Sequence, residues 1–151
     1  MSTVKPVPDG MQAITPYLIS HNAANAIDFY QQAFGATERT RMADDSGKIR
    51  HAELVINGAI IMLADENPDM GARSPASVGG CPISIVLYVP DVDATVAQAV
   101  ALGARITRAV QTQFYGDRSG SVVDPDGYDW HISTHVEDVS DEEIQRRMAA
   151  L

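Results

Sequence analysis

Ala23-Ala24-Asn25-Ala26-Ile27-Asp28-Phe29-Tyr30-Gln31-Gln32-Ala33-Phe34-Gly35-Ala36 decides the fold, because its counterpart returns about 68 residues later. Ala23, Ala26, Ile27, Tyr30 and Phe34 recur at helical spacing and make one apolar stripe. Asn22 precedes them as an N-cap, and Gly35 follows where left-handed backbone ends a helix. In the second copy Val92, Val96, Ala99 and Val100 carry the stripe. Asp91 is the cap, and Leu102-Gly103-Ala104 closes the helix as Phe34-Gly35-Ala36 closes the first.

Around each helix the same elements recur. Ala13 to Ile19 reads as a strand, with Pro16 marking an edge or bulge because proline cannot donate to a ladder. After the helix come strands over Thr37 to Met42, Lys48 to Ile56 and Ala59 to Ala64. Asn57-Gly58 is a strong hairpin signal, since both residues tolerate positive φ. In the second half the strands are Ile83 to Val89, Arg105 to Val110, Ser119 to Val123 and Tyr128 to Thr134, the last two joined by the turn Asp124-Pro125-Asp126-Gly127. The expected class is therefore α+β. Two βαβββ modules (13–65 and 83–135) form a cupped mixed sheet whose free faces enclose a ligand space. An arm (1–12), a linker (66–82) and a C-terminal helical tail (138–151) complete the single domain. In the tail, Ser140 caps a short helix and Glu143 completes a capping box.

The chain has 151 residues, with 11 Lys plus Arg against 20 Asp plus Glu and a formal charge of -9. That balance speaks against nucleic acid, whose phosphates call for a basic patch, and against an anionic membrane surface. No apolar run approaches a membrane span, and Met1 to Gly10 does not read as a secretory signal. The single Cys81 rules out an intrachain disulfide and a Cys-rich zinc site, so a cytoplasmic location is expected. There is no phosphate-binding glycine loop, no dinucleotide fingerprint and no nucleophile elbow.

The two modules, Ile27-Asp28-Phe29-Tyr30 with Phe34-Gly35, and Asp124-Pro125-Asp126-Gly127-Tyr128 resemble the vicinal oxygen chelate superfamily of glyoxalase I, extradiol dioxygenases and bleomycin-resistance proteins. Within it the chain is similar to the PhnB-like branch. The matching segments are His51-Ala52-Glu53-Leu54, Ile61-Met62-Leu63-Ala64-Asp65, Phe114-Tyr115-Gly116-Asp117-Arg118 and Thr134-His135-Val136-Glu137-Asp138-Val139-Ser140. The resemblance implies a homodimer. It also implies four metal positions, at the first and last strand of each module, which here read Thr15, Met62, Ser84 and His131. A hydroxyl or a thioether is a poor ligand for a hard divalent ion, so no metal and no other cofactor is expected.

Strand alternation adds pocket candidates. Tyr17 shares a face with Thr15, Val86 and Tyr88 with Ser84, and Asp129 and Ser133 with His131, while Tyr128, Trp130 and Ile132 face the helices. Tyr115 and Arg118 stand on a loop that is either a pocket rim or a turn held by an Asp117–Arg118 salt bridge. His51 and Glu53 share a face, as a base and its orienter, as two metal ligands, or as a surface or dimer-interface pair. His131 is either a pocket base or a satisfied buried histidine. The expected function is metal-free binding of a small hydrophobic or aromatic compound. Thr15, Tyr17, Met62, Ser84, Tyr88, Tyr115, Arg118 and Ser133 would line the site, with His131 as the catalytic candidate. The alternatives are a glyoxalase-like lyase, isomerase or dioxygenase that uses a non-standard metal set (His51 and Glu53 with His131) or His131 as acid and base, and a structural dimer with an empty cup.

Overall fold

A computed structural model describes residues 3–151. The chain divides between Gly79 and Gly80 into two compact units, inside the expected linker. In the first unit β1 (Tyr17–Ser20), α1 (Ala23–Phe34), β2 (Thr37–Ala43), β3 (Ile49–Ile56) and β4 (Ala59–Asp65) follow in order, then a 3-10 turn (Pro68–Met70) and a short α2 (Pro75–Val78). In the second, β5 (Ser84–Tyr88), α3 (Val92–Ala101), β6 (Arg105–Thr112), β7 (Asp117–Val123) and β8 (Asp129–His135) lead to α4 (Asp141–Ala149). The strand orders β1-β4-β3-β2 and β5-β8-β7-β6 are the same topology twice. In each sheet the first strand pairs parallel to the last and the other pairs are antiparallel. The expected pair of βαβββ modules and the C-terminal helix are present.

The caps hold as the residue types dictate. Asn22 Oδ1 accepts from the Asn25 N–H at 3.1 Å and Asp91 Oδ1 from the Ala94 N–H at 3.1 Å. Gly35 takes φ 68°, and the hairpin residues Asn57 and Gly58 take φ 48° and 84°. β3 alternates, with Ala52, Leu54 and Ile56 buried beneath α1 together with Ile27, Tyr30 and Phe34. The second core gathers Val92, Val96 and Ala99 of α3 over Val122, Trp130 and Ile132. Each large apolar side chain so buried contributes roughly 1.5–3 kcal/mol. The turn before β8 is organised by the buried Asp124, which accepts from the N–H groups of Asp126 and Tyr128 and from Trp130 Nε1 at 2.8 Å.

Two details differ from the sequence reading. The first strand begins at Tyr17 rather than Ala13. Pro16 lends its carbonyl to the Met62 N–H, but it has no N–H to continue the ladder. The side-chain amide of Gln12 takes over there, donating to the Ile60 carbonyl at 2.5 Å and accepting from its N–H at 3.3 Å. Next, Asp117 and Arg118 belong to β7 rather than to the loop before it. The tail helix is held by Arg147, which donates to the Phe114 carbonyl at 2.9 Å and pairs with Glu137 and Glu143.

Candidate functional site

In the second unit the site grows from the β7–β8 pair. Trp130 and Ile132 are buried on the helix side, so the intervening His131 faces the other way. Ser121 stands opposite it, and the Ser121 hydroxyl and His131 Nδ1 are 3.0 Å apart. Ser119, two residues along β7, is 1% exposed, and its hydroxyl has no hydrogen-bond partner among the described residues. β6 then bulges: Arg108 stands opposite Ser121 and Gln111 opposite Ser119, leaving Ala109 and Val110 to face Gly120 alone. A Cβ on Gly120 would lie 2.8 Å from Val110 Cγ2 and 3.1 Å from the Arg108 carbonyl oxygen, so glycine is what lets the bulge close down on β7. Between them lies a cavity of about 340 Å³ lined by Arg108, Ala109, Gln111, Gln113, Tyr115, Ser119, Gly120 and His131.

The first unit carries a different arrangement. The Tyr17 hydroxyl lies 2.9 Å from His51 Nδ1, and His51 Nε2 lies 2.8 Å from Glu53 Oε2. Arg39 approaches the other Glu53 oxygen at 3.7 Å. Burial, with the Glu53 charge beside it, raises the pKa of the Tyr17 phenol, which keeps it a proton donor. Met62 stands opposite Glu53. A cavity, also of about 340 Å³, lies against Tyr17, Ile19, Arg50, Ala64, Asp65, Asn67, Met70 and Ala72. Its charged members are already engaged: Arg50 on Asp44 at 2.8 Å, and Asp65 with the N–H groups of Ala23 and Ile49 at 2.7 Å each.

The other expected site residues scatter. Thr15 precedes β1 and donates to the Gln12 carbonyl at 3.2 Å. Ser84 donates to Asp129 at 2.5 Å. Ser133 is 1% exposed. Tyr88 donates to Asp117 Oδ2 at 2.7 Å, and this hydrogen bond, with burial, raises the pKa of its phenol. The expected Asp117–Arg118 salt bridge is absent, because side chains at adjacent strand positions point to opposite faces. Arg118 instead forks onto both carboxylate oxygens of Asp93 on α3, at 2.7 and 2.9 Å. Asp117 bonds Tyr88 and His135. Tyr115 alone among the loop candidates reaches the His131 cavity. Sequence reading missed Arg108, Gln111, Gln113, Ser119 and Gly120. The alternation of Ser119 with Ser121 was a usable signal for the serine, whereas the bulge that brings in β6 left none.

A family model of the Glyoxalase/Bleomycin resistance protein/Dioxygenase superfamily matches residues 13–132. The chain belongs to that superfamily. An uncharacterized protein of Mycobacterium tuberculosis is 44% identical over 141 residues, covering 91% of this chain and 83% of the relative. The crystal structure of TioX from Micromonospora sp. ML1 is similar at 27% identity and a TM-score of 0.64, covering 83% of this chain and 99% of that one. A PhnB protein from Bacillus cereus shares the fold at 20% identity and a TM-score of 0.64, covering 82% of this chain and 99% of that one.

In this member of the superfamily the side chains do not fit the metal that the resemblance implies. Thr15 and Ser84 spend their hydroxyl protons on the Gln12 carbonyl and on Asp129, and Met62 offers only a thioether. Within either unit, among the described residues, no group of three or more His, Cys, Asp or Glu side chains is placed to hold a metal ion. The His131 face instead offers an imidazole, a hydroxyl, two amides and a guanidinium around an aromatic and apolar wall, a set suited to an organic ligand. No helix is long and apolar enough to cross a membrane among the described residues.

Proposed function

We propose that this chain binds a small hydrophobic or aromatic compound without a metal, acting as a homodimer. The observation that carries the reading is the replacement of the superfamily's ligand positions by Thr15, Met62 and Ser84, beside a His131 cavity of mixed aromatic, apolar and hydrogen-bonding lining. A volume of about 340 Å³ lies at the lower end of the range for small-molecule sites. Tyr17 supports the same reading from the first unit, with Tyr88 and Tyr115 as further stacking surfaces.

A second reading, a glyoxalase-like lyase, isomerase or dioxygenase, is favoured by one observation. When the Ser121 hydroxyl donates to His131 Nδ1, the ring's Nε2 is left facing the cavity as an acid–base group.

One experiment tests the metal-free binding reading. Thermal melting of protein stripped with EDTA, across a panel of planar aromatic compounds, is expected to show ligand-dependent rises in melting temperature that added Mn²⁺, Zn²⁺ or Fe²⁺ leaves unchanged. Binding or turnover that disappears on chelation and returns with one of these ions overturns the metal-free reading.

A further inference from the structure

Cavities in both units, the His135 network, the tail-helix ion pairs and the exposed aromatic residues all offer candidates, but among the described residues the His131 cavity is the one lined by a buried polar side chain without a partner. We infer that the His131 cavity is built for the carboxylate end of an aromatic carboxylic acid. This rests on the reading of the chain as a small-molecule binder and adds the charge of the ligand.

Three observations converge. The Ser119 hydroxyl is buried at the wall of the cavity with no partner among the described residues. A buried donor left unpaired destabilises the fold unless something outside the chain accepts from it. Arg108 lines the same cavity, and no protein carboxylate or carbonyl engages its guanidinium among the described residues. Elsewhere in this unit Arg118 is paired with Asp93 and Arg147 with Glu137. In a chain of formal charge -9, an unpaired cation beside an unpaired donor is a local reversal of sign. The third observation is the bulge. It sets Arg108 opposite Ser121 and His131's strand, on the same side as Ser119, rather than one register step away.

The chemistry selects the ligand. A guanidinium presents a planar fork that matches a carboxylate with two parallel hydrogen bonds. Ser119 adds a hydroxyl donor, and the His131 Nε2–H adds another when Ser121 satisfies Nδ1. The one acid near His131 on its own strand face, Asp129, is occupied by the Ser84 hydroxyl. Tyr115 and Ala109 leave an aromatic and apolar wall for the rest of the molecule.

The test uses full-length protein and two probes of one shape, 2-naphthoate and its neutral amide 2-naphthamide, in calorimetric titrations. Naphthoate is expected to bind roughly tenfold more tightly than the amide, the usual gain of a charge-assisted pair. Arg108→Gln, an exposed position whose loss leaves the fold intact, is expected to erase that preference. Ser119→Ala is expected to weaken naphthoate several-fold without lowering the melting temperature. Equal binding of the two probes to the wild type overturns the carboxylate assignment and leaves the small-molecule reading standing. A preference that survives Arg108→Gln also overturns it. No binding of either probe at millimolar concentration overturns this inference together with the reading on which it rests.

Discussion

The two units share one topology and treat the same face of the sheet in opposite ways. Glu53 opposite Met62 in the first corresponds to Ser121 opposite His131 in the second. On that face of the first unit Tyr17, His51 and Glu53 satisfy one another, and the charged residues of its cavity are spent on neighbours. In the second, short serines replace the long acid and imidazole on β7, and they reach less far. His131 finds Ser121, but Ser119 and Arg108 are left over. A repeat that keeps the backbone can thus place a closed hydrogen-bond chain in one copy and an open recognition surface in the other. The difference is one of side-chain length and partner count rather than fold.

The largest test of that contrast concerns the two hairpins that present the faces. The first unit turns through Asn57-Gly58 with both residues at positive φ, whereas the second folds its turn around the buried Asp124 carboxylate. Asp124→Ala strands the Trp130 indole N–H and two backbone donors, and is expected to cost about 3 kcal/mol or more in urea unfolding. Asn57→Ala keeps a Cβ in left-handed backbone but loses the short polar side chain that makes that conformation tolerable, and should cost about 1 kcal/mol. Equal costs would break the comparison.

A smaller effect separates the two serines of β7. Ser121→Ala removes the partner of His131 Nδ1 and is expected to lower stability by about 1 kcal/mol. Ser119→Ala removes a donor that has no partner and should leave stability unchanged or raised. Melting curves of the two variants side by side check this, and a loss in Ser119→Ala as large as that in Ser121→Ala would show that its hydroxyl is paired within the chain.

The smallest expected effect is a pH dependence at the end of β8. His135 donates to Asp117 and Asp138 at 2.8 and 2.7 Å, and these hydrogen bonds raise its pKa above the ordinary 6.5. A raised folded-state pKa means that the stabilisation is fully present below 6.5 and is lost as pH climbs through the raised value. The melting-temperature difference between wild type and His135→Gln should therefore be largest below pH 6.5 and shrink as pH rises through the raised value. A difference that grows with pH would contradict the assigned partners.

Much of this molecule was legible in local pattern. Asn22, Gly35, Asp91 and Gly103 punctuate both helices, and the Asn57-Gly58 and Asp124–Gly127 turns place the last strands, because caps and positive-φ turns depend on residues within a few positions of one another. Trp130 and Ile132 facing the helices, with His131 turned away, followed from the period of two. The start of β1 was less legible. Its limit at Tyr17 depends on the Gln12 amide reaching Ile60, a contact 48 residues distant in sequence. The partner of Arg118 was illegible for a similar reason: nearness in sequence offered Asp117 as one alternative, while the pleat turned Arg118 toward Asp93, 25 residues away.

The sequence by itself determined the repeated βαβββ unit, its superfamily and the poor donor set at the metal positions, since all three rest on residue identity and short-range spacing. Tertiary structure alone decided which polar groups remain unpaired. That depends on the bulge in β6, on Gly120 yielding to Val110, and on the cross-strand register that gives His131 a partner and Ser119 none. Hydrogen-bond satisfaction is a property of the whole assembled face, so a hydroxyl is spent or free only once every strand around it has taken its place.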